Sequence, residues 1–342
     1  MDNQQHKKRI LFRADGNTEI GLGHIYRCLA IAERVNEKFD CFFAIRQPSE
    51  EIKNIIGKSS AIVELDQFEN YLMDAQEVAL NIIPRYKIDI ITLDGYYFNT
   101  EYQKTIKKNC KSILISIDDN HPFHYVSDIV INHAGGVDTD MISKESNTKL
   151  FLGYDYLLLR KEFIKLLHTE KKISGIHSVL ICFGGADPND FTGKTLDCLI
   201  NEKNIHKIII IVGASYTQTI NLKKLVAEKR DVEIMSNLDS EILAEVMNNT
   251  DLAIVPASTI SLEAFASKMI IITGMTADNQ KNIYQGLIKE DTVLGIGNFN
   301  RLTCEELRNS VAEVFKKFTG FTFNKRSNNS DSVLEVFKSS SL

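Results

Sequence analysis

His24 is the first residue of this 342-residue chain whose setting points to chemistry. In RILFRADGNTEIGLGHIYRCLAIAERV, residues 9–35, a short apolar strand (10–12) turns through the loop 15–23 and delivers His24 to the first turn of an amphipathic helix. An imidazole exchanges protons near neutral pH. A helix start offers unpaired N–H groups and the positive end of the helix dipole, so an anion is favoured beside it. Gly21 and Gly23 lack a Cβ, which lets a ligand approach the backbone closely. These residue types in this order describe a proton-handling group beside a bound phosphate, or beside the atom that the phosphate leaves. The plainer alternative is a histidine that caps or packs the helix. Ile25, Cys28, Leu29, Ala32 and Val35 share one helical face, as packing on a sheet requires.

Further candidates follow other apolar runs. Asp94 and Tyr96 come after the fourth, Asp118 and Asp119 after the fifth, Asn132 and His133 after the sixth. In the second half, Gly184 and Gly185 can turn backbone N–H groups toward a diphosphate. Ser258 and Thr259 precede a helix and are suited to cap it and to hold a phosphate. Glu263, about one turn along, can accept hydrogen bonds from two ribose hydroxyls. Asn279 and Gln280 open a further helix and can face the sugar or phosphates. Taken singly, each is explained as a capped or hydrogen-bonded loop residue; the convergence of the first-half residues on one rim argues for a site.

Gly-x-Gly after a first strand also opens a dinucleotide fingerprint. Here the third glycine, expected near Arg27, is absent, and the second strand runs into Arg46 and Gln47 rather than an acidic residue. No nicotinamide or other cofactor is expected. Asp118, Asp119, His121 and His124 offer metal-binding groups, but Pro122 disfavours the helix that would align the imidazoles. Asp138-Thr139-Asp140 has the DxD pattern of metal-dependent sugar transferases, yet in a polar stretch away from a strand end. No required metal is expected.

The elements that must position these residues alternate. Strands are expected at 9–12, 41–45, 61–65, 88–93, 112–117 and 129–131, then at 178–183, 207–212, 232–235, 252–255, 269–273 and 292–294. Helices are expected at 25–37, 50–56, 69–85, 100–109 and 157–167, and later at 192–199, 221–228, 240–248, 304–318 and 332–337. Nearly continuous apolar strands belong to parallel sheets buried on both faces. Two βα series of similar strand count imply two Rossmann-like domains, 1–172 and 173–342, with the polar HTEKKISG run as linker. Ligands in such folds bind outside the carboxyl ends of the strands, where the candidates lie.

A hydrophobic content of 44%, a charged content of 25% and a net charge of −5 fit a globular chain and argue against a nucleic-acid binder. No run has the length of a membrane span, and MDNQQHKKR lacks a signal peptide's apolar core. The six cysteines stand singly, as reduced structural thiols of a cytoplasmic protein do. A monomer is expected.

The block R-A-D-x-x-x-x-I-G-x-G-H-x-x-R-C-L, from Arg13 to Leu29, resembles the opening signature of the UDP-2,4-diacetamido-2,4,6-trideoxy-β-L-altropyranose hydrolases of pseudaminic acid biosynthesis. The likeness continues in Leu93-Asp94-Gly95-Tyr96, Ile117-Asp118-Asp119, GYDYLLLRKEF (153–163), CFGGADPN (182–189), ASTISLEA (257–264) and Asp278-Asn279-Gln280. The resemblance implies a GT-B-like α/β fold, two Rossmann-like domains facing an interdomain cleft, with C-terminal helices packing back on the first domain. It implies metal-independent, inverting attack of water on the anomeric carbon of a UDP-linked diamino-trideoxy sugar. His24 would be the base, the water-steering group or the acid. Arg13, Asp15, Gly21, Gly23, Arg27, Asp94, Tyr96, Asn132 and Arg160 would bind substrate from the first domain. Gly184, Gly185, Ser258, Thr259, Glu263, Asn279 and Gln280 would do so from the second, and Arg13 or Arg27 would help neutralise the departing UDP. The family carries Asp-His-Tyr where this chain has Asp94-Gly95-Tyr96. A GT-B glycosyltransferase and a non-catalytic nucleotide-sugar-binding protein are the alternatives.

Overall fold

The computed structural model describes residues 7–16, 22–120, 122–213, 215–226, 231–318, 320–324 and 331–340. The chain divides into two compact units: Met1–Lys161 with Ser330–Leu342, and Glu162–Asn329. The first contains β1 (Lys8–Ala14), α1 (Gly23–Val35), β2 (Phe39–Arg46), α2 (Glu50–Ile56), β3 (Ala61–Leu65), α3 (Tyr71–Glu77), α4 (Ile83–Tyr86), β4 (Ile90–Asp94), α5 (Thr100–Asn109), β5 (Ile113–Ile117), β6 (Ile129–Asn132) and β7 (Lys149–Leu152). From the division onward come α6 (Lys161–Leu167), β8 (Lys171–Ile173), β9 (Ser178–Ile181), α7 (Phe191–Leu199), β10 (Lys207–Val212), α8 (Thr219–Val226) and β11 (Val232–Ser236). There follow α9 (Ser240–Asn248), β12 (Leu252–Pro256), α10 (Thr259–Ala266), β13 (Ile270–Met275), α11 (Lys281–Leu287), β14 (Val293–Asn298), α12 (Cys304–Lys317), β15 (Phe321–Phe323) and α13 (Ser332–Ser340).

The first unit is a seven-stranded sheet in the order β3-β2-β1-β4-β5-β6-β7, and the second holds a six-stranded sheet, β11-β10-β9-β12-β13-β14. Every pairing within the two sheets is parallel. In each, the order reverses beside the first strand of the series: between β1 and β4, and between β9 and β12. That reversal leaves a crevice at the carboxyl ends, because successive crossovers lie on opposite faces. The apolar face of α1 packs on the first sheet, where Ile25, Cys28, Leu29, Ala32 and Val35 join Ile10, Phe12 and Phe43 in one buried cluster.

Several elements differ from expectation. The polar run before residue 175 is not a linker, because β8 pairs antiparallel with β15 and Ile173 is buried; the division falls at Lys161 instead of near residue 172. The helix expected over 69–85 is broken into α3, a π turn at Val78–Ile82 and α4, where Pro84 withholds the N–H that a continuous α-helix needs. Edge strand β7 was not expected: it is only four residues long and half-exposed. Of the C-terminal helices, α13 packs on α1 through Val333, Val336 and Phe337, whereas α12 stays in the second unit against α7. Cys198 and Cys304 form a disulfide joining α7 to the start of α12, so not all six cysteines are free thiols.

Candidate active site

The imidazole of His24 lies at the switch point of the first sheet. Strand β1 ends at Ala14, whose register partner on β4 is Asp94. The chain re-enters helix at Gly23, and the next residue returns over the end of β4. His24 Nδ1 is 2.7 Å from Asp94 Oδ1. A carboxylate only accepts, so at this distance Nδ1 carries the proton. Arg27 Nη2 is also near Nδ1, but at 3.3 Å, and the shorter contact decides the tautomer. Nε2 of a neutral ring is then the lone-pair nitrogen, and among the described residues it has no hydrogen-bond partner. The Tyr96 ring stands edge-on to the imidazole, centroids 4.8 Å apart, and is 40% exposed.

Asp94 is fully buried and held in turn. Arg27, one turn along α1 from His24, grips it with both ends of its fork: Nε to Oδ2 at 2.8 Å and Nη2 to Oδ1 at 2.5 Å. Cys28 Sγ donates to Oδ2 at 3.7 Å. Arg27 Nη1 donates to both oxygens of Asp119, at the end of β5, at 2.6 and 2.7 Å. Next comes His133, after β6, with Nε2 3.6 Å from Asp119 Oδ1 and Nδ1 accepting from the Leu158 amide. Burial alone would raise the Asp94 carboxyl, but the charge of Arg27 and then of His24, with their hydrogen bonds, holds it well below the usual range. Asp119 is likewise held low against its burial, first by Arg27 and then by His133. For His133 burial wins over the attraction of Asp119, and its pKa falls to about 4. The row His24–Asp94–Arg27–Asp119–His133 thus crosses the ends of β1, β4, β5 and β6, with His133 neutral at pH 7.

A second buried network flanks the first. Arg13 is fully enclosed; its donors go to Asp15, Asp74 and the Ala44 carbonyl. Asp15, pushed down to about 2 against its burial chiefly by Arg13, also accepts from the Arg46 amide, Arg46 Nε and the Tyr97 hydroxyl. Tyr102 donates to Asp74. Arg13 and Arg27, expected to bind substrate, have their forks filled by carboxylates, because a buried guanidinium must be paired to offset its lost hydration. The oxygens of Asp94 likewise accept from His24 and Arg27.

The remaining first-unit candidates divide. Asn132 is buried, its Oδ1 accepting from the Ala134 amide, with Nδ2 buried and unbonded among the described residues. Arg160 is half-buried at the end of the first unit. Gly23 opens α1, which has no side-chain cap and no acid in its first turn, while Gly21 and His121 lie outside the described residues. At Gly95 an added Cβ would come within 3.0 Å of the Phe98 ring and 3.4 Å of Tyr97, so those aromatics occupy the space a larger residue would need. Of the metal patterns, His124 is engaged by Ser143 and Glu145, and Asp138 and Asp140 stand exposed at a single 3-10 turn, Thr139–Met141.

In the second unit the candidates collect at the ends of β9, β12 and β13, three adjacent strands. Gly184 has φ +88°, which requires glycine, and Gly185 lies against Gly213 so closely that a Cβ at 213 would strike its backbone. The first-turn amides of α7 are not open to a ligand: Asp187 accepts from Phe191 and Thr192, and Asp190 from Gly193. Helix α10 is different. Ser258 occupies its N-cap position with no side-chain cap bond, contrary to the capping expected of it, while Ser261 donates to the Ser258 carbonyl. Thr259 is half-buried on the first turn and Glu263 buried one turn on. Gln280 closes its own loop by accepting from the Thr276 amide, and Asn279 is exposed.

Residues that sequence reasoning left without a part are Arg46, Asp74, Tyr71, Tyr97 and Tyr102. The readable signal was an arginine at the end of an otherwise apolar second strand.

No protein-family model matches the chain. It is similar to the UDP-2,4-diacetamido-2,4,6-trideoxy-beta-L-altropyranose hydrolase of Campylobacter jejuni, 26% identical over 82% of this chain and 97% of that protein. It is also similar to an uncharacterised protein of Methanocaldococcus jannaschii, 25% identical over 82% of this chain, and spans only 58% of that protein's length. Among solved structures, MurG of Acinetobacter baumannii superposes with a TM-score of 0.64 at 12% identity, over 91% of each chain. A UDP-glucosyltransferase of Polygonum tinctorium gives 0.63 at 10% identity, over 98% of each. At such identities these structures show the fold alone, that of two parallel-sheet α/β domains of GT-B type. The likeness read from the sequence motifs is borne out: the chain is a homologue of the Campylobacter hydrolase.

Proposed function

We propose that this homologue of the Campylobacter hydrolase is itself an enzyme that hydrolyses a UDP-linked, N-acylated diamino-trideoxy hexose to UDP and the free sugar. The hydrogen bond between His24 and Asp94, with Asp94 held by Arg27, carries the proposal. A histidine that merely packs needs no such row of charges behind it.

Water would attack the anomeric carbon. The new C–O bond forms as the bond to the β-phosphate oxygen breaks, that oxygen keeps the electron pair, and His24 Nε2 takes the water proton. Asp94 fixes the ring's orientation and tautomer and stabilises the imidazolium. Two carboxylates face one guanidinium in the row behind His24, so the extra positive charge leaves the cluster neutral. The second unit by itself carries groups suited to a nucleoside diphosphate: the backbone amides at the start of α10 and of Gly184 and Gly185, with Glu263 for the ribose. The same contact with Asp94 serves an acid role in the doubly protonated ring, with Nε2–H given to the leaving phosphate.

The test is His24→Ala, supplied with UDP-2,4-diacetamido-2,4,6-trideoxyhexose in EDTA and no acceptor, with the anomeric proton followed by NMR. Wild type should release UDP and sugar in equal amounts with inversion. The variant should bind UDP normally and lose roughly 10²–10⁴ of the rate. Turnover like that of wild type would remove His24 from the mechanism. Release by wild type only after an acceptor is added would make the protein a transferase of the same fold.

A further inference from the structure

Beside the His24 row, Arg46, Tyr71 and Tyr97 form a group that the hydrolytic step does not use. The Tyr71 and Tyr97 rings stack at 4.1 Å with 13° between their planes. The Arg46 guanidinium carbon lies 4.6 Å from the Tyr71 centroid and 5.7 Å from that of Tyr97. Nε of Arg46 is held by Asp15 at 3.0 Å, which fixes the fork. Its terminal nitrogens bond no carboxylate among the described residues, and the Tyr71 hydroxyl is the guanidinium's further polar neighbour. The Arg46 side chain is 20% exposed and Tyr71 38%. Solvent therefore reaches a rigid pair of N–H donors beside the face of a phenol.

The group stands on the rim that carries His24. Arg46 ends β2, and β1 alone separates β2 from β4, so two strand spacings, about 10 Å, separate it from the Asp94 end. One loop serves both: Asp94 and Tyr96 contact His24, and Tyr97 contacts Asp15 and Arg46.

We infer that Arg46, Tyr71 and Tyr97 are a subsite for an N-acyl group of the sugar, the fork donating to the acyl oxygen and the Tyr71 ring meeting the acyl methyl. This rests on the hydrolase reading above. Charge selects the ligand class. Arg13 and Arg46 are balanced by Asp15 and Asp74, so the cluster exerts little net pull on a phosphate or carboxylate, while its N–H groups still suit a neutral amide oxygen. A half-exposed ring beside them suits a small alkyl group.

The experiment compares wild type, Tyr71→Ala, Arg46→Lys and, as control, Leu72→Ala on the same exposed turn. Free 2,4-diacetamido-2,4,6-trideoxyhexose and UDP are the binding probes, read by saturation-transfer NMR, and the UDP-linked sugar is the substrate. Expected are a loss of saturation at one acetyl methyl in Tyr71→Ala, about a tenfold rise in KM in both subsite variants, unchanged UDP affinity, and a control like wild type. Unchanged KM and methyl saturation in Tyr71→Ala overturn the subsite while UDP release keeps the hydrolase reading. Methyl saturation sensitive to Tyr71 without any UDP release does the reverse. A wild type that binds no free sugar also overturns the subsite.

Discussion

At the scale of single residues, the behaviour of His24 depends on charges it never touches. Asp119 lies beyond Arg27 in the row and balances that guanidinium, leaving Asp94 with more of its own charge to offer the imidazolium. Replacing Asp119 by Asn removes one of the two carboxylates that hold Arg27, so the fork that fixes Asp94 behind His24 loses part of its anchorage. The kcat for UDP release should fall by about tenfold with UDP affinity unchanged. Steady-state kinetics reads this directly, and an unchanged kcat would mean Asp119 only packs. Arg13 makes the contrasting case, since its fork is closed by Asp15 and Asp74 with no exposure at all. Arg13→Met leaves two buried carboxylates sharing Arg46 alone, and should cost about 3–5 kcal/mol of stability by denaturant unfolding, with UDP affinity in the surviving folded fraction unchanged.

At the scale of elements, the carboxyl ends of β1, β4, β5 and β6 bring His24, Asp94, Asp119 and His133 into one line. Packing such groups together makes the first unit sensitive to acid. The pKa of His133 is about 4 in the fold against about 6.5 when unfolded, so between those values the unfolded chain binds a proton that the folded chain refuses. Stability therefore falls as pH drops from about 6.5 to about 4. Asp94 and Asp119, held low, add a further loss below about 4 as they are forced to protonate. Denaturant midpoints measured across pH 4–7 should show the first decline, and His133→Gln should flatten it. In the second unit, side-chain caps close the start of α7 and leave that of α10 without one, a distinction between two similar βα turns that rests on Asp187 and Asp190.

At the scale of the whole molecule, the end of the chain supports its beginning. Helix α13 lays Val333, Val336 and Phe337 on α1, and Asp331 pairs with Arg34, with Nη2 to Oδ1 at 2.5 Å. The helix that presents His24 is thus held at its far end by residues some three hundred positions away. Phe337 is fully buried, and Phe337→Ala should cost about 3–5 kcal/mol. Hydrogen exchange should show the lost protection in β1 and α1, with β9 and β12 unaffected; loss spread equally over both units would refute this support.

The fold was legible from the sequence because parallel strands buried on both faces must be continuously apolar. Runs such as Ile90–Asp94 and Leu252–Pro256 therefore announce themselves, and the rule of carboxyl-end binding then picks out His24, Asp94 and Glu263. Local sequence could not give partners. That Asp94 orients His24, that Arg13 and Arg27 are filled by carboxylates, that β8 finds β15 and that α13 finds α1 all join positions far apart along the chain. Which distant groups meet is decided by strand order and helix packing. Whether an arginine faces a ligand or a buried aspartate is decided by the need to neutralise charge where water is excluded.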